Sequence, residues 1–541
     1  MLIMKYFPLL KKSFTQTQLI LIVSVFFVIF DNYTFFHELF RTYPFEGKNI
    51  FYIFSTPILL FIVHVLFFSL LSSRWTLKPL MILVLIVSSS VAYFMDSYHI
   101  IVDRGMIHNV METDLHEAMG LFNSRQLLYI FFLGLLPSWF IYKVNIAHLS
   151  FIGELKSRLK LVGGIILLLV MMAWATGNFY ASLFKEHRIL RDYTNPYAWI
   201  KGSISYTKHA LQRSGPLLVK PIGLDAKVLK NGKGKPKLVI FVVGEATRAD
   251  HLALNGYYRE TTPKLSNNEN VVTFPEFYSC GTYTVYSVPC MFSRYDRSSF
   301  SRGKERETEN VMDLLAHTKD ISLLWRDNNS DPKGVMDRLG YEDYRSADKN
   351  PECKDDECLD EGMLHGLDSF VENNISKSKL IVLHAMGNHG PEYYKRYPKQ
   401  FEKYTPVCHS NLLEECTQEE IKNAYDNILL HSDMFLDQAI TFLKQYEDRY
   451  EVALLYISDH GESLGENGLY LHGLPYVVAP DAQKHIAALF WLGKNFKDIN
   501  ISILKDRAGD KYSHDNIFST LLGIFDVNTS LYNSKDDILK F

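Results

Sequence analysis

The chain has little excess charge and little cysteine. Its 541 residues carry a formal net charge of −3, only six are cysteine, and none of the six precedes Cys280. No internal repeat and no low-complexity tract interrupts the sequence. Because 47% of the residues are hydrophobic, this composition excludes intrinsic disorder. The near-neutral charge excludes a polyelectrolyte that binds nucleic acid.

Long apolar runs are confined to about the first 185 residues. Each run can span about 30 Å of hydrocarbon, so we predict an α-helical transmembrane bundle of five spans. The predicted spans are residues 19–36, 50–71, 77–95, 127–144 and 161–184. The first has no small-residue cleavage site, which is expected of an anchor and not of a removed signal peptide.

Basic residues indicate the orientation of this bundle. Arg74 lies between the second and third spans, with Lys78 at the start of the third, and Lys156, Arg158 and Lys160 lie between the fourth and fifth. Short loops rich in Lys and Arg face the cytoplasm, so both loops are predicted to be cytoplasmic. An odd number of spans then places the rest of the chain on the other side of the membrane.

All six cysteines follow the last predicted span, which fits an oxidising compartment. They form three close sequential couples, so we favour the disulfides Cys280–Cys290, Cys353–Cys358 and Cys408–Cys416. A zinc knuckle is the alternative for Cys353 and Cys358. It is disfavoured because no second pair with a matching histidine motif follows them.

The pattern changes after the last span. Residues 185–236 mix aromatic and basic side chains, which is typical of a connector along a lipid interface. In residues 237–541, apolar runs of strand length alternate with helical stretches, which predicts an α/β domain with a largely parallel sheet. The predicted organisation is a membrane domain (1–184), a connector (185–236) and an outer domain (237–541).

The predicted strands are residues 238–243, 321–325, 380–384, 452–457 and 486–491. Acidic and imidazole side chains follow the first, third and fourth of them. In open α/β sheets, ligands bind just beyond the carboxyl ends of the strands. A combined carboxylate and imidazole set suits zinc better than calcium or magnesium. The candidate ligands are Glu245, His384, His389, Asp459, His460 and His472.

Hydroxyl side chains lie between Cys280 and Cys290, inside the predicted disulfide loop. A hydroxyl at the start of a helix can meet both a metal, which lowers its pKa, and a phosphate held by the free N–H groups. By spacing alone, Thr282, Thr284 and Ser287 are equal candidates for a nucleophile, and ordinary helix capping is the alternative.

Five longer motifs contain these residues. They are Val-Val-Gly-Glu245-Ala-Thr-Arg, Ser-Cys280-Gly-Thr-Tyr-Thr284-Val-Tyr-Ser-Val-Pro-Cys290, Trp325-Arg-Asp-Asn-Asn-Ser, Met-Gly-Asn-His389-Gly-Pro, and Ser-Asp459-His460-Gly-Glu followed by Leu-His472-Gly. In this order, and after five spans, they resemble the lipid A phosphoethanolamine transferases, and most closely the mobile colistin resistance enzymes. The resemblance extends over essentially the whole chain.

The resemblance implies an alkaline-phosphatase-like outer domain with Thr284 as the nucleophile. It implies one tightly bound zinc, with Glu245, Thr284, Asp459 and His460 as ligands. His389 and His472 would bind the phosphoethanolamine group or a second, weaker zinc. Further substrate contacts are implied for Asn329 and Lys333, at the donor phosphate, and for Asn109, Thr113 and Glu117, at the lipid headgroup.

The implied function is transfer of phosphoethanolamine from phosphatidylethanolamine to a lipid A phosphate through a phosphothreonine-type intermediate, which confers polymyxin (colistin) resistance. The implied location is the bacterial inner membrane, with a periplasmic catalytic domain and a monomeric chain. The short Cys353–Cys358 loop leaves the acceptor preference open.

The sequence disfavours four alternatives. A transporter is disfavoured because the interior of the spans has few ionisable groups beyond His64. A phosphoglycerol transferase shares the spans, the threonine and the metal, but the disulfides and the Gly-Asn-His-Gly run disfavour it. A sulfatase is disfavoured because Phe292 stands where the sulfatase signature around Cys290 has proline. A catalytically silent receptor is disfavoured by the intact ligand set.

Overall fold

The computed structural model describes residues 13–113, 115–147, 149–186, 188–211, 219–229, 234–354, 357–496, 499 and 501–540. The chain divides into two compact units, which we call the membrane unit (Met1–Val110 and Phe122–Leu211) and the sheet unit (Met111–Leu121 and Gln212–Phe541). The domain limits at residues 184 and 236 stay predictions.

Within the described residues of the membrane unit, four helices are long and apolar enough to cross a membrane. They are Asn49–Leu71, Leu77–Tyr98, Ser124–Lys143 and Ile152–Gly177. The helix pair Gln16–Phe30 and Tyr33–Thr42, bent by 55°, can provide a fifth crossing. The five predicted spans therefore correspond to four helices and one bent pair.

The first predicted span, 19–36, is interrupted where two polar residues meet. The Nδ2 of Asn32 donates a hydrogen bond to the carbonyl of Phe27 (2.9 Å), at the end of the first helix. A short polar side chain that bonds to the backbone competes with continuation of a helix. The apolar run continues on both sides of the break, so the sequence pattern predicted a single helix.

The longer helices of the sheet unit alternate with its strands. The helices of the described chain are Gln16–Phe30, Tyr33–Thr42, Lys48–Leu71, Leu77–Tyr98, Arg104–Glu112, Leu115–Gly120, Ser124–Tyr129, Leu136–Lys143, Phe151–Glu186, Arg188–Asp192, Tyr197–Leu211, Pro263–Ser266, Thr284–Met291, Arg302–Arg306, Val311–His317, Leu367–Glu372, Gln418–Lys444, Ile501–Arg507 and Ile517–Ile524, with a π-helical turn at Ile130–Leu135.

A seven-stranded sheet forms the centre of the sheet unit. Its strands are β1 (Lys237–Gly244), β2 (Val271–Thr273), β3 (Ile321–Asp327), β4 (Glu342–Asp343), β5 (Ser378–His384), β6 (Glu451–Ser458) and β7 (Ala488–Leu492). They lie in the order β2-β7-β6-β1-β5-β3-β4. Strands β6, β1, β5, β3 and β4 run parallel, and β7 is antiparallel to both of its neighbours. The prediction of a largely parallel sheet is confirmed.

The two central strands, β1 and β6, are buried along their entire length. A strand covered by helices on both faces reads as a continuous apolar run, which is why these strands were visible in the sequence. The short edge strands β2 and β4 were not predicted, because two or three residues give no periodicity.

The strand register brings the carboxyl ends level. Gly244 pairs with Ser458, and Val243 pairs with His384. The residues that follow β1, β5 and β6 therefore meet at one edge of the sheet. The cysteines form the three predicted pairs, Cys280–Cys290, Cys353–Cys358 and Cys408–Cys416.

Candidate active site

Two carboxylates and an imidazole converge at this edge of the sheet. The Nε2 of His460 lies 3.2 Å from Glu245 Oε1 and 3.4 Å from Asp459 Oδ2, and all three side chains are fully buried. Glu245 directly follows β1, and Asp459 and His460 directly follow β6. The level strand ends thus place the three residues together.

Thr284 is the hydroxyl that faces this cluster. Its Oγ1 donates to Glu245 Oε2 (3.1 Å) and lies 3.3 Å from the Nε2 of His460. It is the first residue of the helix Thr284–Met291, so its hydroxyl lies beside the helix N-terminus. This is the position where free N–H groups favour a bound anion.

The other two candidate hydroxyls point to backbone carbonyls. Thr282 donates to the carbonyl of Leu474 (2.6 Å). Ser287 donates to the carbonyl of Asp459 and accepts from the N–H of Gly281 (3.2 Å). The geometry therefore separates three hydroxyls that the spacing of the sequence left equivalent.

The pKa values in the cluster follow from burial and mutual charge. Burial raises the pKa of Asp459, and the neighbouring Glu245 raises it further. Burial opposes the charged form of His460, but Asp459 and Glu245 outweigh it and raise the pKa of this imidazole. Burial also opposes ionisation of Glu245, but the charge of His460 outweighs it and lowers this pKa. The cluster therefore favours a positive charge at its centre.

Two buried oxygens indicate that this charge can be a metal ion. Neither Glu245 Oε1 nor Asp459 Oδ2 accepts a hydrogen bond from the described residues. A buried carboxylate oxygen without a donor is costly unless a cation satisfies it. Carboxylate, imidazole and hydroxyl ligands fit zinc. Ligand atoms of Glu245, His460 and His472 also lie within 4.8 Å of one another.

Glu462 joins the site although sequence reasoning gave it no role. Its Oε2 lies 2.8 Å from the Nδ1 of His472, and its Oε1 accepts a hydrogen bond from the hydroxyl of Tyr393 (2.8 Å). The His472 ring lies 4.1 Å from that of His460, between centroids. Glu462 thereby directs the Nε2 of His472 towards the cluster. Its position two residues after His460 was the available signal.

His514 is a second residue that the sequence did not indicate. Its Nδ1 accepts from the N–H of Cys280 (3.0 Å), and its Nε2 donates to the carbonyl of Ser458 (2.9 Å). Burial lowers the pKa of His514 to about 3, so the ring stays neutral. It therefore connects the loop before Thr284 to the end of β6.

Known proteins are similar to this chain over nearly its whole length. Residues 60–211 match the family described as phosphoethanolamine transferase EptA/EptB, and residues 237–527 match the sulfatase family. The phosphatidylethanolamine transferase Mcr-1 of Escherichia coli is 41% identical over 529 residues, which is 96% of each chain. The phosphoethanolamine transferase EptA of Escherichia coli strain K12 is 38% identical over 544 residues, which is 98% of each chain.

A solved structure shows the same fold. The lipooligosaccharide phosphoethanolamine transferase A (EptA) from Neisseria meningitidis superposes with a TM-score of 0.94 at 33% sequence identity. It covers 98% of this chain, and this chain covers 99% of it. The chain belongs to the lipid A phosphoethanolamine transferase family. In this transferase Cys290 is bonded to Cys280, so it is not a free cysteine of the kind that sulfatases modify.

Two further predicted residues of the transferase lie close to the cluster. The Nδ2 of Asn329 donates to Glu245 Oε2 (2.8 Å), so Asn329 contacts a ligand residue directly. The His389 ring lies 6.1 Å from the His472 ring, between centroids. The predicted ligand His384 is fully buried, with its Nδ1 2.8 Å from Asp327 Oδ2, and its Nε2 has no hydrogen-bond partner among the described residues.

Four of the predicted substrate contacts remain to be placed in the structure. Lys333 is buried, with its Nζ 3.4 Å from Asp331 Oδ2. Asn109 lies on the helix Arg104–Glu112, Thr113 follows that helix, and Glu117 lies on the helix Leu115–Gly120. The substrate roles of these residues stay predictions.

Replacing Glu462 tests the orientation of His472. Glu462→Gln retains the shape of the side chain but removes its charge, and an amide nitrogen can then face the imidazole. We expect kcat/KM to fall about 10- to 100-fold, the usual effect of losing the partner that orients a site histidine. The matched control is Glu419→Gln, whose carboxylate is 58% exposed. Full activity in Glu462→Gln beside an inactive His472→Ala variant would contradict this role.

Proposed function

We propose that this protein transfers phosphoethanolamine from phosphatidylethanolamine to a phosphate of lipid A. The observation that carries the proposal is the Thr284 hydroxyl, which lies 3.1 Å from a Glu245 carboxylate oxygen at a helix N-terminus. The relative Mcr-1 is named a phosphatidylethanolamine transferase, and this name supports phosphatidylethanolamine as the donor. We place the sheet unit in the periplasm. The similar C-terminal domain of the phosphoethanolamine transferase EptC from Campylobacter jejuni is described as periplasmic.

In the first step, Thr284 is the nucleophile. Its proton passes towards Glu245, its Oγ1 forms a bond to the phosphorus, and the bond from phosphorus to the diacylglycerol oxygen breaks. His389 or His472 donates a proton to the diacylglycerol oxygen as it leaves, and phosphoethanolamine remains on Thr284. The first N–H groups of the helix stabilise the phosphoryl oxygens.

In the second step, an oxygen of the lipid A phosphate attacks the phosphorus. The bond to Thr284 breaks, and the threonine oxygen regains a proton. His389 and His472 lie at the edge of the cluster, where they can donate a proton to the leaving oxygen and accept one from the acceptor. The Glu462 carboxylate lies 2.8 Å from the Nδ1 of His472 and orients this ring.

The cofactor we propose is zinc, held by Glu245, Thr284, Asp459 and His460. When bound, it would stabilise the threonine alkoxide and the charge on the phosphoryl oxygens. A second, weaker ion beside His389 and His472 is the alternative to direct substrate binding by these two rings.

The donor lipid needs contacts at both ends of its headgroup. We assign Asn329 and Lys333 to the phosphate, since a buried ammonium is a point charge suited to an anion. Asn109, Thr113 and Glu117 are assigned to the headgroup, where a carboxylate can meet the ethanolammonium. A membrane-anchored chain shares a leaflet with donor and acceptor, which favours their encounter.

Thr284 variants test the covalent step. Thr284→Ala should abolish transfer while the fold is retained, because only one hydroxyl is lost. Thr284→Ser should keep part of the activity, since the nucleophilic oxygen remains. Mass spectrometry of the purified protein with donor lipid alone should detect phosphoethanolamine on Thr284. Near wild-type modification of lipid A by Thr284→Ala would rule out the covalent mechanism.

Removal of one ligand tests the metal. Asp459→Ala should lower zinc content and activity together, and a chelator should inactivate the wild type without unfolding it. The control is Asp437→Ala, which removes a surface carboxylate that pairs with Lys264. The measurement is elemental analysis beside a transfer assay. Full zinc occupancy in Asp459→Ala would show that the assignment is wrong.

The effect on polymyxins follows from charge. Phosphoethanolamine on a lipid A phosphate adds an ammonium and removes part of the negative charge. A cationic residue near an anionic surface gains roughly 1 kcal/mol, so losing one or two such contacts weakens peptide binding about five- to thirty-fold. Expression of the wild type should therefore raise the inhibitory concentration of polymyxin, and Thr284→Ala should not.

The same measurement distinguishes catalysis from passive binding. Equal resistance from Thr284→Ala would favour a catalytically silent receptor over an enzyme. Unchanged resistance despite phosphoethanolamine on lipid A, shown by mass spectrometry, would separate the reaction from its proposed consequence.

A further inference from the structure

The segment after β5 carries His389 and packs against Glu245. The N–H of Asn388 donates to the carbonyl of Glu245 (3.1 Å). Gly387 has a φ of +45°, and a Cβ atom there would come within 3.0 Å of the same carbonyl. Segment 385–390 therefore lies directly on the backbone of a ligand residue, and a shift of this segment would move His389 relative to the cluster.

Asp360 holds the opposite side of this segment. Its Oδ1 accepts from the N–H of Met386 (2.8 Å), and its Oδ2 accepts from the N–H of Gly387 (3.0 Å). Both oxygens of one buried carboxylate thus bind consecutive amides. Asn328 donates to the same Oδ1 (2.8 Å), which fixes the orientation of the carboxylate.

Arg396 holds the segment at His389 itself. Its Nε donates to the carbonyl of His389 (3.1 Å), and its Nη1 pairs with Glu357. The guanidinium is 10% exposed, so water competes little for these contacts. The two groups of one arginine thereby connect the His389 backbone to a carboxylate on another segment.

Asp360 and the Glu357 partner of Arg396 both belong to or follow a hairpin closed by Cys353 and Cys358. We call it the disulfide hairpin (Cys353–Lys354 and Glu357–Cys358). Glu357 is part of it, and Asp360 follows it by two residues. Asn328 donates to the carbonyl of Cys358 (2.8 Å) as well as to Asp360, so the hairpin and the carboxylate share one anchor. The disulfide fixes the starting point of both connections.

We propose that the disulfide hairpin positions His389 for phosphoethanolamine transfer, through Asp360 and through the Glu357–Arg396 pair. Asp360 and Arg396 are positioning residues, since their described contacts are to the segment and not to reacting groups. This inference deepens the proposed function and rests on the role assigned there to His389. An error of about 1 Å in the placement of a site group can cost about 100-fold in rate, so such connections matter for catalysis.

A double-mutant cycle tests the connection on the full chain with phosphatidylethanolamine and lipid A. Arg396→Met removes the contact to His389 while retaining much of the side-chain length. It should lower kcat/KM about tenfold or more. In a His389→Ala background, the same substitution should change kcat/KM less than about twofold, because the group that it positions is absent. Equal factors in both backgrounds would overturn the proposal.

The double variant Cys353→Ser with Cys358→Ser tests the hairpin in the same way. It should also lose most of its effect in the His389→Ala background. The matched control is Arg449→Met, since Arg449 pairs with Glu372 on the surface. It should leave kcat/KM unchanged in both backgrounds. An effect of Arg449→Met as large as that of Arg396→Met would overturn the proposal by showing general loss of stability.

Amide hydrogen exchange gives a readout that does not require activity. Arg396→Met should speed exchange in peptides that contain residues 386–389, while peptides from β1 and β6 keep wild-type rates. Unchanged exchange in residues 386–389 would overturn the positioning role even if activity fell. Absence of transfer by the wild type, or full transfer by His389→Ala, would instead count against the proposed function, and faster exchange would still support the connection.

Discussion

Two carboxylates buried side by side are the constraint on which this site depends. Glu245 and Asp459 follow adjacent parallel strands whose register brings their ends level. Both carboxylates lie within 3.4 Å of the Nε2 of His460. Like charges so close together oppose each other in a buried environment unless a positive charge lies between them. His460 provides one such charge, and a metal ion would provide a stronger one. The surrounding donors, such as Asn329 and the N–H of Ala246, each reduce the same electrostatic cost.

Much of the fold and the centre of the site could be predicted from sequence. Buried parallel strands give long apolar runs, and strand ends that carry Glu245 or Asp459–His460 stand out against them. Thr284 could not be selected by this reasoning, because Thr282 and Ser287 have the same chemistry and similar spacing. Only the direction of each hydroxyl distinguishes them, and direction depends on the tertiary contacts of the loop.

Residues that orient site residues through hydrogen bonds were not predicted from the sequence, for a related reason. Glu462, Asp360 and Arg396 are ordinary charged residues in the sequence, and their roles arise from the partners that each contacts in the fold. The bend after the first helix was missed because Asp31 and Asn32 form a polar pair too short to interrupt an apolar average. In each case the hydrogen-bond partners of one side chain decide the outcome, and composition over a window contains no information about them.

Several hydrogen bonds connect the helix and loop of Thr284 to the end of β6. Ser287 joins the helix of Thr284 to the carbonyl of Asp459, and His514 connects the preceding loop to the end of β6. Thr284 and the proposed ligands Asp459 and His460 are consequently joined through the same strand end. A substitution that leaves Ser287 and His514 unchanged therefore leaves in place the hydrogen bonds that hold Thr284 beside Asp459 and His460.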